Sequence, residues 1–296
     1  MRTELHGPPG GTTPAPLAPL VERLAAMAAP CPVHPSAHLI ETDVIAWSRD
    51  AGLEAAPPPG VHLLAGRAFA RYGTGTATLF ARWLTWLSCL RREPSAFAGV
   101  LAVAEGGEPG PAPVERAFAE LWRDCAPGMS QGWRASFLAG LTAQRAALLG
   151  GGAPSIEDYP ALGRAGFGRY LFDLVEPCAG TEVPAPVRES RQWRSVAEAS
   201  GDVVAWCDDL TSGGGYVKAA SVSLGGGAAV EWVVDRVVTR VEELWTAART
   251  IPQVAERYDL GFTASREVVQ VVCAFLTISR AYLERLLESP RYRHVG

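Results

Sequence analysis

Apolar residues recur at three- and four-residue spacing along most of this chain. Val114 to Asp124 reads VERAFAELWRD, and Trp133 to Leu149 keeps the same beat. Glu231 to Ala248 sets Val233, Val234, Val237, Val238, Val241 and Leu244 on one helical face. Ser265 to Glu288 predicts a long helix that stops before Pro290. Period-two runs, the mark of half-buried strands, do not stand out, although Val is plentiful. The pattern predicts an all-α fold without internal repeats: a bundle of roughly ten helices around one cavity.

The breaks between these stretches fall where Pro and Gly cluster. Residues 1 to 30 carry Pro8-Pro9-Gly10-Gly11, which continues neither helix nor strand. We read residues 1–30 as a disordered leader with a short helix near Leu20 to Met27, and residues 31–296 as one helical domain. Ala56 to Gly60 and Gly106 to Pro113 read as loops. Gly150 to Gly152, Gly213 to Gly215 and Gly225 to Gly227 read as further breaks.

Composition narrows the class. At 296 residues and 48% hydrophobic, the chain is long enough for one large core. A net charge of −4 argues against a nucleic-acid partner. The N-terminus lacks an apolar signal core. The longest apolar run, near Val268 to Ile278, is too short to span a bilayer. A soluble cytoplasmic protein is therefore expected. None of the six cysteines forms a C-x-x-C pair, so they read as small hydrophobes. The five histidines form no cluster.

Four segments carry a more specific signal. ARWLTWLSCLRREPS spans Ala81 to Ser95; DYPALGRAGFGRYLFDLVEP spans Asp158 to Pro177. DVVAWCDDLTSGGGY spans Asp202 to Tyr216, and Ser289-Pro290-Arg291-Tyr292 lies near the end. In this order they resemble the bacterial class I terpene synthases, over roughly residues 35 to 293. The resemblance implies that fold's helical bundle, a prenyl diphosphate partner and an apolar cavity for a carbocation. It also implies a homodimer, or pairing with an active synthase. Arg164, followed four residues on by Gly168 with Phe167 between as linker, matches the family's diphosphate-sensing segment. Arg291 and Tyr292 match its closing motif.

The departures lie in the metal sites. Trp83 and Trp86 match the lead-in to the family's first aspartate cluster, but the cluster itself falls on Arg91, Arg92 and Ser95, with Glu93 the only nearby carboxylate. Guanidinium groups keep their charge and repel a cation. In the second metal motif Asp208, with Asp209 beside it, and Ser212 fit two places, but the third falls on Tyr216, a poor magnesium ligand. Three glycines also weaken the helix there, at about 1 kcal/mol each. Lys218 replaces the family's nearby Lys only if that loop rearranges. Leu87 and Ser88 stand where the family places cavity Phe, and Arg285 where it places Trp. No three-magnesium cofactor is expected, while a residual Mg²⁺ at Asp208 and Ser212 is compatible with the residues.

Each signal has a plain counterpart. Arg91-Arg92-Glu93 reads equally as a solvated helix end, where cations suit the dipole. Arg164 has Glu157 and Asp158 nearby as partners. Three functions stay open. The first is a cyclase using Arg91, Arg92 and Glu93 in place of metal on a prenyl diphosphate. The second is an inactive binding or partner protein on the same scaffold. The third is a fold recruited to another reaction in a biosynthetic cluster. The convergence of Arg91, Arg92, Arg164 and Arg291 on one cavity is the observation that would favour a diphosphate clamp.

Overall fold

A computed structural model describes residues 31–53, 57–150, 154–167 and 170–288. The expected leader, Gly168, Arg291 and Tyr292 lie outside them, as does the side chain of Phe167. The described residues contain helices and no strand. They form fifteen α-helical segments, of which four have seven residues or fewer, leaving eleven of eight or more.

In chain order the helices are α1 (Ala37–Asp50), α2 (Val61–Ala68), α3 (Thr74–Arg92), α4 (Phe97–Ala104), α5 (Pro113–Cys125) and α6 (Gln131–Leu149). Next come α7 (Tyr159–Phe167), α8 (Tyr170–Asp173), α9 (Val175–Ala179), α10 (Ala185–Arg188) and α11 (Arg191–Ser212). The last four are α12 (Gly215–Leu224), α13 (Gly226–Arg249), α14 (Ile251–Arg257) and α15 (Phe262–Glu288). Ser130 and Ser190 start α6 and α11 by accepting the backbone N–H of Trp133 and Trp193, each at 3.1 Å. Helix α3 stops at Arg92 because Pro94 follows.

Two of the glycine triplets break differently from the expectation. Gly213 (φ 71°) turns the chain out of α11, but Gly215 already belongs to α12. Gly225 (φ 78°) makes the second turn alone, and Gly226 and Gly227 form the first turn of α13.

Helix α11 packs against both α13 and α15, and α15 also meets α2. With 27 residues, α15 is long and apolar enough to cross a membrane by length and composition, longer than the run counted from sequence. Its Val268, Val271, Phe275, Ile278 and Leu286 are instead spent on the core. A second core block joins α3, α5 and α6 through aromatic rings. Trp83 and Trp86 meet edge to face with ring centroids 5.3 Å apart. Phe118, Trp122, Trp133 and Phe137 extend the cluster. Each indole N–H of α3 finds an acceptor: Trp86 donates to Val114 O at 2.8 Å and Trp83 to Cys125 Sγ at 3.3 Å. Cys89, Cys125, Cys178 and Cys207 are buried as expected, while Cys273 is exposed.

Candidate functional site

Helix α3 brings its last two turns to the rim of a cavity of about 320 Å³. Leu84 and Leu87 form part of the floor; Ser88, Arg91 and Arg92 climb to the rim. The other walls come from Val61 and Leu64 of α2, Leu171 of α8, Asp208 of α11, and Tyr282 and Arg285 of α15. Five helices thus converge on one space. Three guanidinium groups and one carboxylate line it, over an aliphatic floor. Leu87, Ser88, Phe167 and Arg285 were the sequence candidates for the cavity; Leu87, Ser88 and Arg285 line it, and the Phe167 side chain lies outside the described residues.

The charges are mutually placed. Burial raises the Asp208 carboxyl above its usual range, while Arg91 and Arg285 pull it back down. Tyr282 is buried at 6% exposure, and its hydroxyl is raised chiefly by that burial and further by Asp208. Arg91 and Arg92 are exposed at the end of α3, where the helix dipole favours them. They are at once a helix terminus and part of a cavity wall. Glu93 is exposed and does not line the cavity.

Arg164 goes elsewhere. It lies 2.8–2.9 Å from both oxygens of Asp202, a residue 38 positions away, and not beside Asp158 or Glu157. Arg240 holds the same carboxylate at 2.7–2.8 Å. Burial pushes Asp202 up to about 6 against the pull of Arg164 and Arg240, so it is ionised at neutral pH. This pairing fixes α7 to α11 and α13, and Arg164 lines a different cavity from the arginines of α3. Sequence reasoning missed Asp202. Its signal was an acid set among Val203, Val204 and Trp206 on a buried face.

The region after Asp208 is closed by aromatic packing. Helix α11 ends at Ser212, whose hydroxyl accepts from Gly214 N–H at 3.2 Å. Asp209 accepts from the Tyr159 hydroxyl at 2.7 Å and from Tyr216 N–H at 3.0 Å. Tyr216 is 1% exposed, stacked on Tyr159 with centroids 4.8 Å apart and flanked by Trp206 and Trp232. Lys218 lies two residues further along α12. Gly215 has φ +46°, and a Cβ there would overlap the Asp209 carboxylate and the Tyr159 hydroxyl. Gly215→Ala is therefore expected to cost about 2–4 kcal/mol, from left-handed strain and the displaced hydrogen bonds. Chemical denaturation checks this; a loss below about 1 kcal/mol would show that the turn yields.

Residues 97–213 match the family model described as terpene synthase family 2, C-terminal metal binding. (-)-Delta-cadinene synthase from Streptomyces clavuligerus is 28% identical over 256 residues, spanning 73% of this chain and 76% of that protein. Epi-isozizaene synthase from Streptomyces coelicolor is 32% identical over 113 residues, or 36% of this chain and 31% of that one. Among solved structures, α-eudesmol synthase superposes with a TM-score of 0.77 at 16% identity, over 88% of this chain and 97% of its own. Linalool/nerolidol synthase from Streptomyces clavuligerus, in complex with 2-fluorogeranyl diphosphate, gives 0.77 at 19% identity, over 89% and 98%. The chain is similar in sequence to bacterial terpene synthases and shares the class I terpene synthase fold.

Terpene synthases of this class use magnesium, so the donor set was compared with that need. Among the described residues no group of three His, Cys, Asp or Glu side chains is placed to hold an ion. Arg91 and Arg92, exposed at the end of α3, offer no oxygen donor. Asp209 already accepts two hydrogen bonds, and Tyr216 lies in an aromatic stack. Hard divalent cations need several oxygen donors around one point. These residues do not fit a three-magnesium cluster.

Proposed function

We propose that this terpene synthase homologue binds a prenyl diphosphate directly through guanidinium groups. The observation that carries the reading is the convergence of Arg91, Arg92 and Arg285 above a floor of Leu64, Leu84, Leu87 and Leu171. An amphiphile with a compact polyanionic head and a branched aliphatic tail matches that arrangement. Arginine pairs phosphate oxygens bidentately, and each charge-assisted bond contributes about 1.5–3 kcal/mol. Each buried tail methylene adds about 0.8 kcal/mol. A structural relative holds 2-fluorogeranyl diphosphate, a ligand of this chemistry. Arg291 and Tyr292 are proposed to close over the same head group; Arg164, tied to Asp202 and lining a different cavity, is not part of this clamp, and Gly168 and Phe167 stay candidates on the sequence motif alone.

The same cavity is poorly suited to holding a carbocation. Among the described residues that line it the one aromatic ring is Tyr282, and Arg285 places positive charge on the wall. These observations favour ligand retention over metal-style cyclisation. Calorimetric titration with geranyl diphosphate separates the two. Binding is expected to be the same with Mg²⁺ and with excess chelator, and to be much weaker for geraniol or inorganic diphosphate alone. Affinity that appears only with Mg²⁺, or steady Mg²⁺-dependent formation of hydrocarbon or alcohol products, would overturn the proposal.

A further inference from the structure

A second cavity, of about 670 Å³, lies between α6, α7 and α11. Its lining mixes small residues, Ala143, Ala147, Gly163, Gly166 and Ala205 among them, with Tyr159, Asp209 and the exposed Leu148 and Leu162. Asp208 lines the first cavity and its neighbour Asp209 the second, so the two spaces flank the same turn of α11. Among the described residues that line them, Arg91 alone belongs to both. Arg92 borders only the first.

The volumes give this arrangement a chemical meaning. A cavity of roughly 150 Å³ holds benzene, or about 25 Å³ per carbon. On that scale a ten-carbon prenyl chain needs about 250 Å³, a fifteen-carbon chain about 375 Å³ and a twenty-carbon chain about 500 Å³. With the head group at the arginine rim, the 320 Å³ cavity accommodates the first and not the others. The 670 Å³ cavity has room for the longer two.

We infer that Arg91 is the partition between these cavities and thereby restricts the ligand to a ten-carbon prenyl diphosphate. The inference rests on the proposed prenyl-diphosphate reading and goes further, because it names the chain length and the residue that sets it. Arg91 acts twice: its guanidinium faces the anionic head, and its aliphatic stem stands between the leucine-floored space and the alanine-walled one. Arg92 supplies a comparable charge without the dividing role. Truncating either arginine removes one head-group contact, but only truncating Arg91 joins the two spaces.

The test compares Arg91→Ala with Arg92→Ala in the full chain. Dissociation constants are measured in chelator for geranyl, farnesyl and geranylgeranyl diphosphates. The wild-type chain is expected to prefer geranyl diphosphate. Both variants should weaken geranyl diphosphate binding ten-fold or more. In Arg91→Ala the geranylgeranyl-to-geranyl ratio of constants should fall at least ten-fold, while in Arg92→Ala it should not move. Adding Ala147→Leu to Arg91→Ala refills the second cavity and should restore the original ratio. Both arginines are exposed, so thermal melts of the single variants should match the wild type. An unchanged ratio in Arg91→Ala, or equal changes in both variants, would overturn the partition while leaving the head-group reading standing. Failure of the wild-type chain to bind any of the three would remove the head-group reading and the partition with it.

Discussion

Trp86→Ala is expected to remove about 3–5 kcal/mol of stability, a large share of the roughly 5–15 kcal/mol that holds most domains folded. The Trp86 ring is fully buried. It meets Trp83 edge to face at 5.3 Å and Phe118 at 5.0 Å, and its N–H donates to Val114 O at 2.8 Å. Alanine leaves a void between the Trp83 and Phe118 rings and removes the indole donor to the Val114 carbonyl. Trp86→Phe keeps most of the ring contact and loses chiefly the donor, at about 1–2 kcal/mol. Urea midpoints of the two variants separate packing from hydrogen bonding. Equal losses would show that the hydrogen bond dominates and that the ring cluster contributes little.

The second large effect concerns charge at the cavity rim. Arg91, Arg92 and Arg285 set three positive charges against Asp208, a balance of +2. Replacing Arg91 and Arg92 together by glutamate leaves one positive charge against three negative, a balance of −2. Binding of a prenyl diphosphate should then fall by at least a thousand-fold, since two charge-assisted contacts of about 1.5–3 kcal/mol each become repulsions. Stability should change little, because both side chains are exposed. Titration in chelator reads the first quantity and a thermal melt the second. A variant that still binds within ten-fold of wild type would place the ligand head elsewhere.

Much of the fold was legible in the sequence because its long helices repeat their apolar faces over many turns. The pattern over Glu231 to Ala248 lies inside α13, and that over Trp133 to Leu149 inside α6. Helices α8, α9 and α10 were not legible: each has five residues or fewer, too short for a 3.6-residue period to show. The cavity was half legible. Arg91, Arg92, Ser88, Leu87, Arg285 and Asp208 were singled out by their places in motifs, and they do share one space. Leu64, Leu171 and Tyr282 were not, because an aliphatic cavity wall reads like any core position. The partner of Arg164 was also hidden. Choosing Asp202 over Asp158 depends on how α7 crosses α11, and no local spacing encodes that.

The stack around Tyr216 has a consequence for how this chain can change. A carboxylate at 216 would give up the ring contacts with Tyr159, Trp206 and Trp232, although Arg236, which bonds the Tyr216 hydroxyl, lies beside it. Restoring aspartates at 91 and 92 without it would set two acids beside Asp208 and leave the second cluster incomplete. Extending α11 past Ser212 would require Gly213 to leave its left-handed turn and Asp209 to give up both of its donors. Each step is costly until the others are made. The stack, the Gly213 turn and the two donors on Asp209 are thus interlocked: a substitution at any one of them disturbs the other two.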